Sequence, residues 1–405
     1  MSLEIRAVAA HEISDYVRVV STAMGFPFNP DRLGRSSVPE HDVRFAAFDG
    51  DMLVGAGGSF SFHMTVPGGV SPEIGGLTHV GVLPTHRRRG ILTGLMRAIF
   101  EENRKRGQVI SALYASEGVI YGRYGFGMAS LGGDIELPRH GTAFVDGPQA
   151  GPGAKIRYVT EDESVPLFAS IWDRVRAVSP GMCSRSEGWW RGRRVGDPDG
   201  IRAGRPPLQR IVLELEGQPA GYAFYRSATG YDGFHLVNTL DVVEAIGDSP
   251  AATRALWRWL FDIDLVTTVK ATLLPPDHPL FFLLAAPRDM RMRMSDNLWV
   301  RLLDVAPALS QRKYNEGPPI VFHVNDAFVP SNTGRYLLEN GIARPTDRAP
   351  DLTLDVNALG SAYLGGFTFT QMARAGRILE HTPGALHRAD LLFHSARAPW
   401  CPEIF

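Results

Sequence analysis

The stretch His79-Val80-Gly81-Val82-Leu83-Pro84-Thr85-His86-Arg87-Arg88-Arg89-Gly90-Ile91-Leu92-Thr93 decides the reading of this chain. A short apolar run ends at a proline, three arginines and a glycine follow, and apolar residues then recur at Ile91, Leu92, Leu95, Met96, Ile99 and Phe100. That spacing is helical, and Gly107 supplies a C-terminal stop. The segment reads strand, basic loop, helix. A helix N-terminus offers N–H groups without intrahelical partners and carries a partial positive charge. Arginines beside it make a site suited to a phosphate-bearing ligand. The competing reading is an ordinary strand–loop–helix with a solvated arginine run, and His86 within the loop reads as solvated.

Outward from this segment, residues 1–35 read as helical, with apolar positions at Ile13, Val17, Val20 and Met24, interrupted by Phe26-Pro27-Phe28-Asn29-Pro30. Residues 43–48 and 52–56 flank Asp49-Gly50-Asp51, a hairpin signature. A separate strand is expected over 59–66, turning at Pro67-Gly68-Gly69 towards the strand at 78–83. Residues 109–114 read as a buried strand, and a further helical stretch follows. The Gly- and Pro-rich region 140–154 marks a boundary. A weaker copy of the same order then appears: a helix over 165–178, a hairpin over 211–225, a strand over 237–243, and a helix carrying Leu256, Trp257, Leu260 and Phe261. Its strand–helix junction is Gly247-Asp248-Ser249-Pro250. A Ser cap with Pro at the helix start favours the helix, but Asp248 would repel a pyrophosphate, so this copy reads as structural. A third unit is expected from residue 291, with strands at 298–303, 320–324 and 352–356 and short helices near 356–364 and 369–375. The expectation is an α/β (α+β) chain of three parts, 1–145, 146–290 and 291–405.

Composition excludes several classes. The chain has 405 residues, 44% hydrophobic and 21% charged, with a formal net charge of −1. This is ordinary globular composition. No apolar run reaches the roughly 18 residues of a membrane span, and the N-terminus lacks a basic region followed by an apolar core. The two cysteines, Cys183 and Cys401, make neither a disulfide framework nor a zinc site. The expectation is a reduced, cytoplasmic protein without metal or membrane. Arg185, Arg191, Arg193, Arg194, Arg202, Arg205 and Arg210 form a basic stretch with Trp189 and Trp190. The near-neutral total charge favours an interdomain or subunit contact there over nucleic acid.

Arg87-Arg88-Arg89-Gly90-Ile91-Leu92 resembles the acyl-CoA signature of the GCN5-related N-acetyltransferases (GNAT), Arg/Gln-x-x-Gly-x-Gly/Ala, with Leu92 departing from the small residue of the pattern. The order of elements is similar to that superfamily's. Residues 300–305 (Val-Arg-Leu-Leu-Asp-Val) resemble the start of a sterol-carrier-protein-like domain. Tandem GNAT folds, the second degenerate, followed by such a domain resemble the enhanced intracellular survival (Eis) N-acetyltransferases. So do the run Tyr121-Gly122-Arg123-Tyr124-Gly125 and the terminus Trp400-Cys401-Pro402-Glu403-Ile404-Phe405.

The resemblance implies that acetyl-CoA is held by Val80, Gly81 and Val82, by Arg87, Arg88, Arg89, Gly90, Ile91, Leu92 and Thr93, and by Ser116 and Glu117. It implies Tyr121 as proton donor to the departing sulfur and the terminal carboxylate of Phe405 as proton acceptor for the incoming amine. It implies a homohexamer acting on primary amines of polycationic small molecules such as aminoglycosides, an antibiotic-resistance activity, with other amines or protein lysine also open as acceptors. The chemistry needs both proton roles. Only a neutral amine attacks a thioester, and a thiol of reference pKa ~8.5 leaves better when a phenol of pKa ~10 meets it. A terminal carboxylate of pKa about 3.5 would act by electrostatics or through a water.

The residues alone leave alternatives. Tyr121 and Tyr124, three apart on one turn, could include a core residue. Met24, Phe26 and Phe28 either wall the acceptor pocket or pack in the core. Glu403 either lines that pocket or is solvated. The alternative function is a lipid or acyl-CoA carrier using the sterol-carrier-like part, against which the intact Arg-x-x-Gly loop argues.

Overall fold

The structure is a computed structural model describing residues 3–27, 43–147, 153–198, 202 and 204–405. The chain divides into two compact units, one of residues 1–130, 296–399 and 403–405, the other of 131–295 and 400–402.

The first unit opens with β1 (Leu3–Ala7), α1 (Ile13–Met24), β2 (Val43–Asp49), β3 (Met52–His63), β4 (Glu73–Val82), α2 (Ile91–Lys105) and β5 (Ile110–Tyr114). Its seven-stranded sheet runs β1, β2, β3, β4, β5, then Leu298–Leu302 and Gly127–Met128. Successive residues of a strand face opposite sides, and the core shows it. Ala46, Phe48 and Ala56 pack under Tyr16, Val19 and Val20 of α1. Ala47 and Val54 pack under Ile91 and Leu95 of α2.

Three local expectations change. Leu3–Ala7, read as helical, is a strand paired antiparallel with β2; its alternating Leu3, Ile5 and Ala7 are too short a signal without that partner edge. Residues 52–56 and 59–63, read as separate strands, form one strand. Gly55 and Gly57 within it are not a break. A Cβ on Gly55 would lie 2.7 Å from Ile91 Cγ2 and one on Gly57 3.0 Å from Ile99 Cδ1, so α2 packs directly on the bare backbone. Leu298–Leu302, expected in the third part, instead pairs antiparallel with β5 and completes the first sheet.

A second sheet lies in the second unit, in the order Arg293–Asp296, Leu131–Pro138, Val266–Leu274, His235–Gly247, Gln218–Asp232, Gln209–Leu215 and Lys155–Tyr158. Leu131–Pro138 thus belongs with the second sheet, although the sequence places residues up to 145 with the first. Helix Pro250–Phe261 buries Leu256, Trp257, Leu260 and Phe261 against this sheet. Helix Glu161–Arg176 buries Phe168, Ile171 and Trp172 in a separate cluster with Tyr222 and Phe224.

Several arginines of the basic stretch find acids within this unit. Arg185 and Arg194 pair with buried Glu244 at 2.7 and 2.5 Å, Arg191 with Asp162 at 2.7 Å, and Arg202 with Asp197 at 3.1 Å. Arg193 lies over the Trp189 ring.

The remaining sheet, in the first unit, runs Ile342–Pro345, Gly334–Glu339, Ile320–Asn325, Leu352–Asp355 and Ile378–Glu380, with helices Val356–Tyr363 and Phe369–Arg374 as expected.

Candidate active site

The site grows out of an irregularity in β4. Gly58 opposes Thr78 and Ala56 opposes Gly81, so β4 carries one extra residue between those pairs. His79, at the bulge, has φ +55°. The extra residue shifts the phase of the strand: Leu77 and, beyond the bulge, Val80 and Val82 all pack on the α2 side. Gly81 faces α1, where a Cβ would meet Ala23 at 2.7 Å. On its other edge β4 is paired with β5 only at Gly75–Ser111 and Gly76–Ala112. Past those pairs the two strands part, and Val80, Gly81 and Val82 run along the gap without a ladder to β5 among the described residues.

The loop then turns at Pro84. Arg88 has φ +63° and Gly90 φ +79°. Gly90 is the N-cap of α2 and makes no side-chain cap. The first N–H groups of α2 therefore remain available, which with the helix dipole is an anion site. On the opposite wall the chain leaves β5 through Ser116 and Glu117 into α3 (Gly118–Tyr121).

These walls enclose a cavity of about 560 Å³. Val80, Gly81, Val82, Arg87, Arg88, Gly90, Ile91, Leu92 and Thr93 line one side; Ser116, Glu117, Tyr121 and Tyr124 line the other; Met24 and Phe26 close the end. Phe28 lies outside the described residues. Ile120 and Arg123, which the sequence reading did not single out, also line it. Their place next to Tyr121 on one turn was the available signal. Leu92, the departure from the signature, packs its side chain on the Tyr121–Tyr124–Phe126 cluster and lines the cavity.

Two loop residues lie elsewhere than expected. Arg89 is absent from the lining and pairs with Asp49 at 3.0 Å. His86 is buried, not solvated, with Nδ1 2.8 Å from Thr85 Oγ1 and Nε2 3.5 Å from the same Asp49 carboxylate. Together they clamp the loop to the β2–β3 hairpin.

Tyr121 is 7% exposed. Burial pushes its phenol pKa up, a hydrogen bond with the Ser116 side chain works against that, and the neighbouring Glu117 adds to it. The phenol is held protonated at neutral pH. Tyr124 Oη lies 3.4 Å from Thr93 Oγ1, across the cavity.

The C-terminus docks in the same unit. Phe405 packs its ring 5.0 Å from Phe62 and over Gly76, where a Cβ would come within 3.2 Å of it. Gly75, one residue earlier, faces Asn103 of α2, so Phe405 sits on the α1 face of the sheet, beside the last ladder pair before the strands part. A ring series runs from Phe62 through Phe60 (5.7 Å) to His79 (5.6 Å) at the bulge. Glu403 is 2% exposed and so not solvated, though neither it nor Phe405 is in the cavity lining.

This arrangement suits an acyl-CoA. Basic side chains and uncapped helix N–H groups are suited to a pyrophosphate, the free β4 edge to an amide-bearing arm, and a buried phenol lines the same cavity. Residues 4–129 and 181–302 each match an acetyltransferase (GNAT) domain family, and residues 305–402 a sterol carrier protein domain. A Streptomyces avermitilis protein named as an uncharacterized N-acetyltransferase is 38% identical over 91% of this chain and 91% of its own length. N-acetyltransferase Eis of Mycobacterium tuberculosis is 33% identical over 87% of this chain and 86% of its own length. The chain belongs to the Eis family of N-acetyltransferases. The crystal structure of Eis1 from Mycobacterium abscessus covers 100% of both chains at 32% identity and TM-score 0.85. As an Eis-family member this protein is an N-acetyltransferase of tandem GNAT domains followed by a sterol-carrier-like domain, and the acyl donor of the GNAT fold is acetyl-CoA.

Proposed function

We propose that this enzyme acetylates primary amines of small polycationic molecules of the aminoglycoside kind, with Tyr121 as proton donor and the Phe405 carboxylate as proton acceptor. The observation that carries the reading is Tyr121: a buried phenol, hydrogen-bonded to Ser116, in one cavity with the uncapped start of α2 and the free edge of β4.

Bound acetyl-CoA would supply a thioester carbon and a thiol leaving group. The backbones of Val80 and Val82 would hold its pantetheine arm. Arg87, Arg88 and the N–H groups at Gly90, Ile91, Leu92 and Thr93 would hold its pyrophosphate. Tyr121, kept protonated by burial, gives its proton to the sulfur as the C–S bond breaks. The amine must lose a proton as it attacks, and a carboxylate at the chain end favours that by electrostatics or through a water. Docking of the Phe405 ring on Phe62 supports this, since a chain terminus is usually frayed. Buried Glu403 adds negative charge to the same segment, which favours a cationic acceptor. The homohexamer implied by the resemblance draws support from the exposed apolar tip of the second unit's long hairpin, Tyr231 and Phe234, and light scattering tests it.

Thiol release from acetyl-CoA, measured against a panel of amines, tests the activity. Release with aminocyclitol sugars and polyamines, exceeding that with simple alkyl monoamines, is the expected result. Release no faster than background hydrolysis with every amine would overturn it. A C-terminal extension of a few residues should abolish turnover at an unchanged melting temperature, because it turns the carboxylate into an amide. An extended enzyme working at the untagged rate would remove Phe405 from the chemistry.

A further inference from the structure

The turn that carries Tyr121 and Tyr124 is held from behind by groups of the C-terminal third of the chain. Arg301, on Leu298–Leu302, is fully buried, and its Nη2 donates to Asp326 Oδ2 at 2.5 Å. Asp326 is buried too, and its carboxylate is heavily used. Oδ2 accepts from Asn332 Nδ2 at 3.0 Å, and Oδ1 from the backbone N–H groups of Phe328 and Val329 at 3.1 and 2.9 Å. One carboxylate thus closes the whole 326–332 turn.

That turn presents one ring. Phe328 stands edge-on to Tyr124 at 5.0 Å and to Phe100 at 5.7 Å. The other side of the guanidinium carries Gly125. A Cβ there would fall 1.5 Å from Arg301 Nη1, and Gly125 has φ +81°, so the backbone rests directly on the cation. Neither Nη1 nor Nε of Arg301 has a hydrogen-bond partner among the described residues. The contact with Gly125 is steric support, not a bond. Phe126 N–H closes the turn onto the Tyr121 carbonyl at 3.3 Å. Tyr121 and Tyr124 therefore stand on a turn wedged between the guanidinium and the Phe328 ring.

A buried ion pair is a poor way to gain stability, because desolvation offsets the attraction and an apolar replacement is often neutral or better. What an apolar pair could not do is collect two backbone N–H groups and an amide onto one carboxylate. The gain is in geometry, and geometry is what a proton donor needs: a displacement of about 1 Å can cost on the order of 10²-fold in rate.

We propose that Phe328, held by Asp326 and Arg301, is a positioning residue for acetyl transfer, so that the sterol-carrier-like part acts by setting the turn of Tyr121 and Tyr124. The proposal rests on the reading of Tyr121 as proton donor. Phe328 is only half-buried, which makes it a practical target. Phe328→Ala should lower kcat at least about tenfold while leaving KM for acetyl-CoA within about twofold, since Phe328 packs on Tyr124 and Phe100 and is not among the residues that line the cavity. Phe328→Leu, which keeps bulk and is the safer variant for folding, should recover most of the rate. In a Tyr121→Phe background Phe328→Ala should cost nothing further in kcat, because the group it positions is gone. Loss by the same factor in both backgrounds would mean general damage and would overturn the proposal, as would a Phe328→Leu or folded Phe328→Ala enzyme in which KM alone changes or nothing does. If Tyr121→Phe by itself turns over at the wild-type rate, the reading of Tyr121 fails first and the proposal with it. A damaged Tyr121→Phe with a neutral Phe328→Ala defeats the proposal alone.

Discussion

The two GNAT domains build the same strand–helix junction and end it in opposite ways. β4 and His235–Gly247 each pair antiparallel on one side and parallel on the other, and each ladder slips at a bulge before the helix. In the first domain the chain passes from Val82 through an arginine loop to Gly90, which offers α2 no side-chain cap. In the second it passes from Gly247 directly to Asp248, Ser249 and Pro250. Ser249 Oγ accepts from Ala252 N at 3.2 Å, and Asp248 pairs with Arg174 at 2.7 Å. Past its bulge the second strand carries Glu244, buried under Arg185, Arg194 and Tyr222. These cations hold its pKa at about 2 although burial alone would raise it. One junction leaves its helix N–H groups without a side-chain cap; the other caps its own. The fold supplies the position, and a few polar residues decide whether it is a site.

The two tyrosines sharpen the contrast most. Tyr121 and Tyr222 are both buried and both have raised pKa values. Tyr222 donates to Glu244 at 2.7 Å and is wholly enclosed, whereas Tyr121 opens on a cavity. Tyr121→Phe should lower kcat by about 10²- to 10⁴-fold with acetyl-CoA affinity unchanged by calorimetry. Tyr222→Phe should leave kcat as it is. A general acid works while protonated and fails as pH rises through its pKa. With that pKa raised above the ordinary phenol value of about 10, wild-type kcat should show no alkaline fall below that pH. A descending limb near neutrality that vanishes in Ser116→Ala would contradict the direction assigned to Tyr121.

Charge at the junction comes next. Arg88→Asp gives the first junction the sign of the second, and acetyl-CoA KM should rise about thirtyfold or more, the loss of one charge-assisted phosphate contact and the repulsion that replaces it. Asp248→Arg should not create a second site, because Ser249 still caps the helix and no Arg-x-x-Gly loop precedes it. Titration of either protein with CoA should never exceed one equivalent per chain; two equivalent sites would dissolve the comparison.

How far such a contrast could be read without coordinates depends on the range of the interaction. The arginine loop, the Gly90 cap, the Ser249 cap and the helix that follows each are local, and Pro84, Gly90 and Pro250 announce them. Residues 55–58 misled because glycine signals a turn and close packing alike, and only α2, which follows later in the chain, tells them apart. The destination of Leu298–Leu302 was hidden because its partner, β5, lies far back in the sequence. His86 looked solvated, and the ion pairs of the 185–210 arginines were hidden, because the acids that meet them, Asp49, Asp162, Asp197 and Glu244, are scattered. Phe328 had no local signal at all.

Gly55 turns that ambiguity into a measurement. Gly55→Ala sets a Cβ 2.7 Å from Ile91, the first residue of α2. The overpacking should cost about 1–3 kcal/mol, read as a lower melting temperature. Because the helix start must move, KM for acetyl-CoA should rise as well. If stability falls with KM unchanged, α2 shifts along its length and its N-terminus does not set the anion site.

The smallest expected effect separates stability from chemistry at the second junction. Ser249→Ala removes the only side-chain acceptor for the Ala252 N–H, and loss of an N-cap of this kind costs about 1 kcal/mol. Asp248 does not compensate, since its partner Arg174 is largely exposed and such pairs are worth at most about 1 kcal/mol. The unfolding transition of the second unit should fall by about 2–4 °C. Steady-state acetyl transfer below that transition should be unchanged, because the cavity is lined wholly by residues of the first domain. Bare N–H groups at the start of helix Pro250–Phe261 should still bind no CoA, as no arginine loop stands beside them. A Ser249→Ala chain that took up a second equivalent of CoA would show that the cap alone had silenced this domain, and that the arginine loop is dispensable to a CoA site.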